Sequence, residues 1–97
     1  MTLQEWRDAH PTVRCFDLDR IINDFDCQVQ DLVAMLDAAI VQGKLEMVLK
    51  LKDNDGTFIG GDYDSHERIP EKVEDRMCQN WVDTCDLQVV TAYRWVQ

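Results

Sequence analysis

Two stripes of apolar residues at helical spacing follow each other between positions 18 and 43. The first stripe is short and is made of Leu18, Ile21, Ile22 and Phe25. The second stripe is longer and is made of Leu32, Met35, Leu36, Ala39 and Ile40. We therefore expect a short helix capped by Asp17 and a longer one from about Gln28 to Gln42, which ends at Gly43 in left-handed backbone.

The segments on either side of this helix pair also carry local signals. Thr2-Leu3-Gln4-Glu5 has the form of a capping box and predicts a first helix that ends at His10-Pro11, before a short extended piece around Cys15. After Gly43 the spacing of apolar residues changes from the helical period to a period of two residues. Residues 45–52 then predict a strand whose buried face carries Leu45, Met47, Leu49 and Leu51. The turn-forming residues 53–56 and the run 57–59 complete a β-hairpin.

The last third of the chain carries a helical and an extended pattern. Val73, Met77 and Trp81 recur every fourth residue after Pro70, which predicts a fourth helix over residues 70–82 with these side chains facing the core. Residues 87–96 are apolar on both faces and predict a strand. At a sheet edge such a strand offers pairing to a second copy of the chain, so we expect a homodimer through it unless the fourth helix covers it.

The order of these elements resembles the winged helix-turn-helix family over roughly residues 2–63. The most specific part of the resemblance is the apolar spacing from Leu18 through Phe25-Asp26-Cys27 to Gly43-Lys44-Leu45. It implies an α+β fold with three or four helices packed on a small antiparallel sheet, and a β-hairpin as the wing. With 97 residues, the chain is expected to form a single domain over 1–97.

The negative charge of the chain does not favour the DNA-binding role of that family. The net charge is −9, and residues 53–75 alone hold eight acids and two bases. The second helix of the pair has no Lys or Arg between positions 27 and 42, so it lacks the cations that contact phosphates. Its outward face is predicted to present Gln30, Asp31, Ala34 and Asp37 to a protein partner.

The acidic segment is the main candidate binding surface, because negative charge attracts basic patches on other proteins. The predicted partner-binding acids are Asp53, Asp55, Asp62, Asp64, Glu67, Glu71, Glu74 and Asp75. The sequence thus indicates a non-catalytic protein–protein interaction module, an adaptor or inhibitor, with no cofactor. A narrower version is mimicry of nucleic acid, in which carboxylates stand in for phosphates.

The sequence leaves two other functions open. One is a DNA-binding regulator that relies on a partner subunit for its cationic surface. The other is a small metal-dependent enzyme using Asp62, Asp64 and His66, whose spacing directs two carboxylates and an imidazole to one side of an extended segment. We also expect a cytoplasmic protein that does not enter membranes, since no run of about 20 apolar residues and no signal-peptide pattern is present.

Overall fold

The computed structural model describes residues 1–76 and 79–96. Over these residues the chain forms three α-helices, which are α1 (Leu3–Ala9), α2 (Leu18–Ile22) and α3 (Val29–Val41). The strands are β1 (Cys15–Asp17), β2 (Leu45–Lys52), β3 (Phe58–Tyr63), β4 (Lys72–Asp75), β5 (Asn80–Asp83) and β6 (Gln88–Trp95). One sheet has the strand order β1-β6-β2-β3, and β4 pairs with β5 in a second sheet. No helix in the described part of the chain has the length and apolar character to cross a membrane.

The fold is α+β, but the expected winged-helix-like arrangement of three or four helices on a small sheet is wrong. The described residues contain six strands, and two of the three helices have seven residues or fewer. The strand content is higher than expected because residues 72–75 and 80–83 pair as strands, where the sequence pattern predicted a helix.

The chain divides into two compact units. Unit 1 contains Met1–Met47 and the residues from Ala92 onward, and unit 2 contains Val48–Thr91. Strands β2 and β6 contribute residues to both units. The single-domain assignment stays a prediction.

The helix starts in unit 1 are confirmed. Thr2 and Glu5 form the capping box at α1, with the Glu5 backbone N–H donating to Thr2 Oγ1 at 3.1 Å. Asp17 caps α2 by accepting from the Arg20 backbone N–H at 3.0 Å. These side chains satisfy backbone donors that a helix start otherwise leaves without partners. They place Trp6 and Ile21, both fully buried, in the core.

Helix α3 turns its apolar stripe inward as the sequence predicts. Leu32, Leu36 and Ala39 are buried, and Met35 and Ile40 pack against the same core. Gly43 has φ +76° and terminates the helix. The main buried cluster of unit 1 consists of Trp6, Phe16, Ile21, Phe25, Leu32, Leu36, Ala39, Leu45 and Tyr93, and Ala92 is buried in the same unit.

The predicted β2–β3 hairpin is present, but the buried positions of β2 differ from the expected alternation. Met47 is 55% exposed and Val48 is 4% exposed, so the inward-facing position moves by one residue. The pairing register between β2 and β3 shifts between Leu49 and Leu51, which marks a bulge. Leu51 then joins Ile59 and Val73 in the small buried core of unit 2.

The described residues of the segment 70–82 form a pair of strands where a fourth helix was predicted. Val73 pairs with Val82 and Glu74 pairs with Trp81 in the β4–β5 ladder, so Val73 and Trp81 lie on opposite faces of this hairpin. Gln79, at φ +51°, is part of the turn between the strands, and Met77 lies outside the described residues. The backbone N–H of Thr84 donates to the Glu71 carbonyl at 2.9 Å beyond the base of the hairpin.

The C-terminal strand is confirmed as extended, but it is not an edge strand. β6 lies between β1 and β2 in the sheet, and Phe16 pairs with Tyr93 in the β1–β6 register. The homodimer expected through a β6 edge therefore loses its structural basis, because β6 has a neighbouring strand on each side. Residues 72–75 and 80–83, part of the segment predicted as the covering helix, are strands.

Glycine substitutions should separate the cost of backbone strain from the cost of steric crowding. Gly43 and Gly60 both have positive φ, but a Cβ at Gly43 meets nothing within 4 Å, whereas at Gly60 it would lie 2.9 Å from Tyr63 Oη and 3.3 Å from Val73 Cγ1. We expect Gly43→Ala to cost about 1–2 kcal/mol for left-handed backbone. Gly60→Ala should lower the free energy of unfolding by about 1–3 kcal/mol more, through overpacking.

Urea titration followed by circular dichroism measures these differences, with Gly61→Ala as the control that has neither positive φ nor crowding. If Gly43→Ala and Gly60→Ala lowered the free energy of unfolding equally, crowding against Val73 would have no effect on stability.

Tyr93 should make the stability of the protein decline at alkaline pH. Burial raises the pKa of Tyr93 above 10.0, and the negative charge of Asp37 raises this pKa further. The unfolded chain then loses the proton at a lower pH than the folded protein does. The stabilising contribution is complete below pH 10.0 and is lost as the pH rises through the folded-state pKa.

The measurement is the free energy of unfolding from neutral pH to above pH 10.0. Tyr93→Phe should flatten the alkaline decline, and the control Tyr63→Phe should retain it. A decline of the same size in both variants would assign the effect to other groups.

Candidate protein-binding groove

Unit 2 contains a groove of about 690 Å³ at which acidic and aromatic side chains meet. We call it the acidic groove, and its charged and aromatic lining consists of Asp53, Asp55, Phe58, Tyr63, Lys72, Glu74, Asp75, Arg76 and Trp81. Four of the eight acids predicted from the sequence thus come together. The lining carries four carboxylates and two cations, so its charge is negative.

Asp53 and Asp55 reach the groove from the β2–β3 turn. Asp53 Oδ1 accepts from the backbone N–H groups of Asp55 and Thr57, each at 2.9 Å. This Asx-type turn fixes the backbone and gives Asp53 a structural role. Asp55 is exposed, so its carboxylate is the one that this turn presents to solvent.

Glu74 and Trp81 reach the groove from the second hairpin. They are direct partners in the β4–β5 register, so their side chains share one face of the hairpin, while Val73 on the other face is 5% exposed. Trp81 is 66% exposed and Glu74 is also exposed. An indole surface and a carboxylate therefore stand side by side in solvent.

The positive charges of the groove are partly compensated by acids of the same unit. Lys72 Nζ lies 3.8 Å from Asp83 Oδ1, and both side chains are more than half exposed. Exposed pairs of this kind contribute little to stability, about 0–1 kcal/mol. They nevertheless reduce the repulsion that Lys72 would exert on a cationic ligand.

The other four predicted acids do not line the acidic groove. Asp62 Oδ1 lies 2.7 Å from Lys50 Nζ, and the two side chains are 24% and 12% exposed. This carboxylate is therefore neutralised within the unit. Asp64, Glu67 and Glu71 are exposed outside the groove lining.

The three candidate metal ligands are not brought together. Across residues 1–76 and 79–96 no cluster of three His, Cys, Asp or Glu side chains is arranged to hold a metal ion. Asp62 pairs with Lys50, and His66 lies in a 3₁₀ turn at His66–Arg68. The extended geometry that the metal hypothesis needs ends before His66.

The predicted face of α3 is exposed in unit 1. Its members, all exposed, are Gln30, Asp31, Ala34 and Asp37. Gln30 donates to Gln28 Oε1 at 2.9 Å, and the charge of Asp37 acts on Tyr93. The face carries two carboxylates, and none of its four residues lines the acidic groove, so it is a secondary candidate.

Trp81 is the site residue that sequence reasoning missed. The spacing of Val73, Met77 and Trp81 assigned its side chain to a buried helical stripe. A competing signal was present in Asn80-Trp81-Val82-Asp83 and in Lys72-Val73-Glu74-Asp75, where apolar and polar residues are mixed at short period. Only strand pairing distinguishes the two interpretations.

Comparison with known protein families, with curated proteins and with solved structures finds no match to this chain.

Proposed function

We propose that this protein is a non-catalytic interaction module whose acidic groove binds an extended, basic segment of a partner protein. The observation that carries the proposal is the exposure of Trp81, 66%, beside Glu74 in a groove with four carboxylates. The sequence interpretation favours the same class of function through its acidic segment.

An exposed tryptophan in a concave, charged setting is typical of a binding surface. Tryptophan is enriched among the residues that dominate binding energy at protein interfaces. Its ring face attracts cations, and the interaction with Lys or Arg contributes about 0.5–2 kcal/mol. Arginine and lysine side chains therefore match both the indole of Trp81 and the carboxylate of Glu74.

The sign of the charge supports a protein ligand over nucleic acid. Carboxylates repel phosphates, and nucleic-acid affinity depends on the release of counterions by Lys and Arg. The exposed face of α3 contains Asp31 and Asp37, and Lys50 and Lys52 lie over the Phe58 ring at 5.1 and 5.7 Å. The mimicry version has less support, because Asp53 is used in a turn and Asp62 in an ion pair.

The proposal is tested with two synthetic peptides of equal length, one alternating Arg and Ser and the other alternating Gln and Ser. Isothermal titration should show binding of the Arg peptide alone. Its affinity should fall as salt is added, because ions screen exposed charges. Trp81→Ala should weaken binding at least tenfold, the effect of losing about 1.4 kcal/mol at an interface residue.

A matched pair of charge variants separates the groove from the net charge. Glu74→Gln and Glu67→Gln both remove one exposed carboxylate, but only Glu74 lines the acidic groove. We expect weaker binding for Glu74→Gln and unchanged binding for Glu67→Gln. Equal effects of the two variants, or full affinity in Trp81→Ala with an unchanged circular dichroism spectrum, would contradict the proposal. Retention of a duplex oligonucleotide in place of the peptide would favour the DNA-binding alternative.

A further inference from the structure

A second groove, in unit 1, has the opposite character to the acidic groove. It has a volume of about 620 Å³ and is lined by the first residues of α1, the last turns of α3 and the end of β6. Its apolar side chains are those of Met1, Leu3, Met35, Ala38, Ala39, Trp95 and Val96. We call it the helix-end groove.

The apolar lining belongs to the outer layer of the unit 1 core. Leu3, Met35 and Trp95 are partly buried and pack against the buried cluster, while Val96 is 38% exposed. The buried cluster contacts these side chains on one side, and their other side faces the groove. A pre-formed, mostly apolar concavity of several hundred cubic ångströms is typical of sites for small ligands.

The charged residues at the helix-end groove are both positive. Arg7 and Lys44 line it, and no Asp or Glu is among its lining residues. In a chain with 19 acids and 10 bases, such a combination is unusual. Arg7 Cζ lies 5.0 Å from the centroid of the Trp95 ring, so its guanidinium is held at the apolar wall.

Neither cation is neutralised within the described part of the chain. The ion pairs of unit 1 there join His10 to Asp24 and Arg94 to Glu46, so Arg7 and Lys44 take part in none of them. Two cations at the rim of an apolar groove match a ligand with one negative group and an apolar tail. A phosphate or a sugar would leave the apolar surface uncovered, and a cationic amphiphile would be repelled.

We propose that the helix-end groove binds a small carboxylate with an apolar tail, with the tail along Met35, Ala38 and Trp95 and the carboxylate at Arg7 and Lys44. This site is separate from the proposed function of the acidic groove, and either proposal can fail without the other.

The test uses three probes built on a straight eight-carbon chain, the carboxyl carbon of octanoate included, which are octanoate, octanol and octyltrimethylammonium, each kept below the concentration at which it forms micelles or separates from water. Two-dimensional NMR of the labelled full chain follows binding, and circular dichroism checks that the fold is retained. We expect saturable shifts with octanoate at residues that line the groove, at least tenfold weaker binding of octanol and no binding of octyltrimethylammonium.

Variants test the two parts of the groove separately. Lys44→Gln should weaken octanoate binding about tenfold, because it removes a charge-assisted contact. Its matched control is Arg20→Gln, which removes an exposed cation of the same unit outside the groove. Ala38→Phe adds a ring at an exposed position of α3 that lines the groove and should abolish binding while leaving both cations in place.

Several results would overturn the proposal. These are equal affinities for octanoate and octanol, an unchanged affinity in Lys44→Gln, full binding in Ala38→Phe, or no saturable binding in the unmodified protein. Sedimentation at increasing protein concentration tests whether a second copy of this chain occupies the groove. Self-association that is lost in Ala38→Phe would assign the helix-end groove to a second copy of this chain instead.

Discussion

The aromatic cluster around Phe16 is the interaction on which unit 1 depends. The Phe16 ring lies 5.0 Å from Trp6, 5.5 Å from Trp95 and 5.8 Å from Tyr93, measured between centroids. These residues come from α1, β1 and β6, so the contacts join segments that are far apart along the chain. β1 has only three residues, too few to persist through backbone hydrogen bonds alone. Aromatic packing, at about 0.5–1.5 kcal/mol per pair beyond burial, holds it in place.

The two units distribute apolar and charged residues differently, and this decides where each candidate surface can form. Unit 1 has an extensive core, and the half-buried residues around it, such as Trp95, form the apolar wall of the helix-end groove. The buried cluster of unit 2 is small and consists, among the described residues, of Leu51, Ile59 and Val73, and Val48 is buried as well. The face of the β4–β5 hairpin that carries Glu74 and Trp81 is opposite to the face from which Val73 packs into this cluster. Trp81 therefore remains in solvent, beside the acids of the acidic groove.

Acidic side chains that look alike in the sequence have different roles in the folded protein. Asp53 accepts two backbone hydrogen bonds, Asp62 pairs with Lys50, and Glu74 stands exposed beside Trp81. The net charge describes how the protein attracts a basic partner at long range. The local hydrogen bonds and ion pairs decide which carboxylates are available for contact. The β2–β3 turn and strand β4 bring Asp53, Asp55, Glu74 and Asp75 to the acidic groove, and the other four predicted acids lie outside its lining.

The sequence by itself determined the elements whose signals are local. These are the capping box at Thr2, the apolar stripe of α3, its end at Gly43 and the turn that joins β2 to β3, since each depends on residues a few positions apart. The tertiary structure alone decided the pairing of residues 72–75 with 80–83, the position of β6 between β1 and β2, and the exposure of Trp81. A short apolar run fits a strand or a helix equally well until another segment supplies hydrogen bonds and a surface to cover. In this chain those partners lie elsewhere in the sequence, and the periodicity does not identify them.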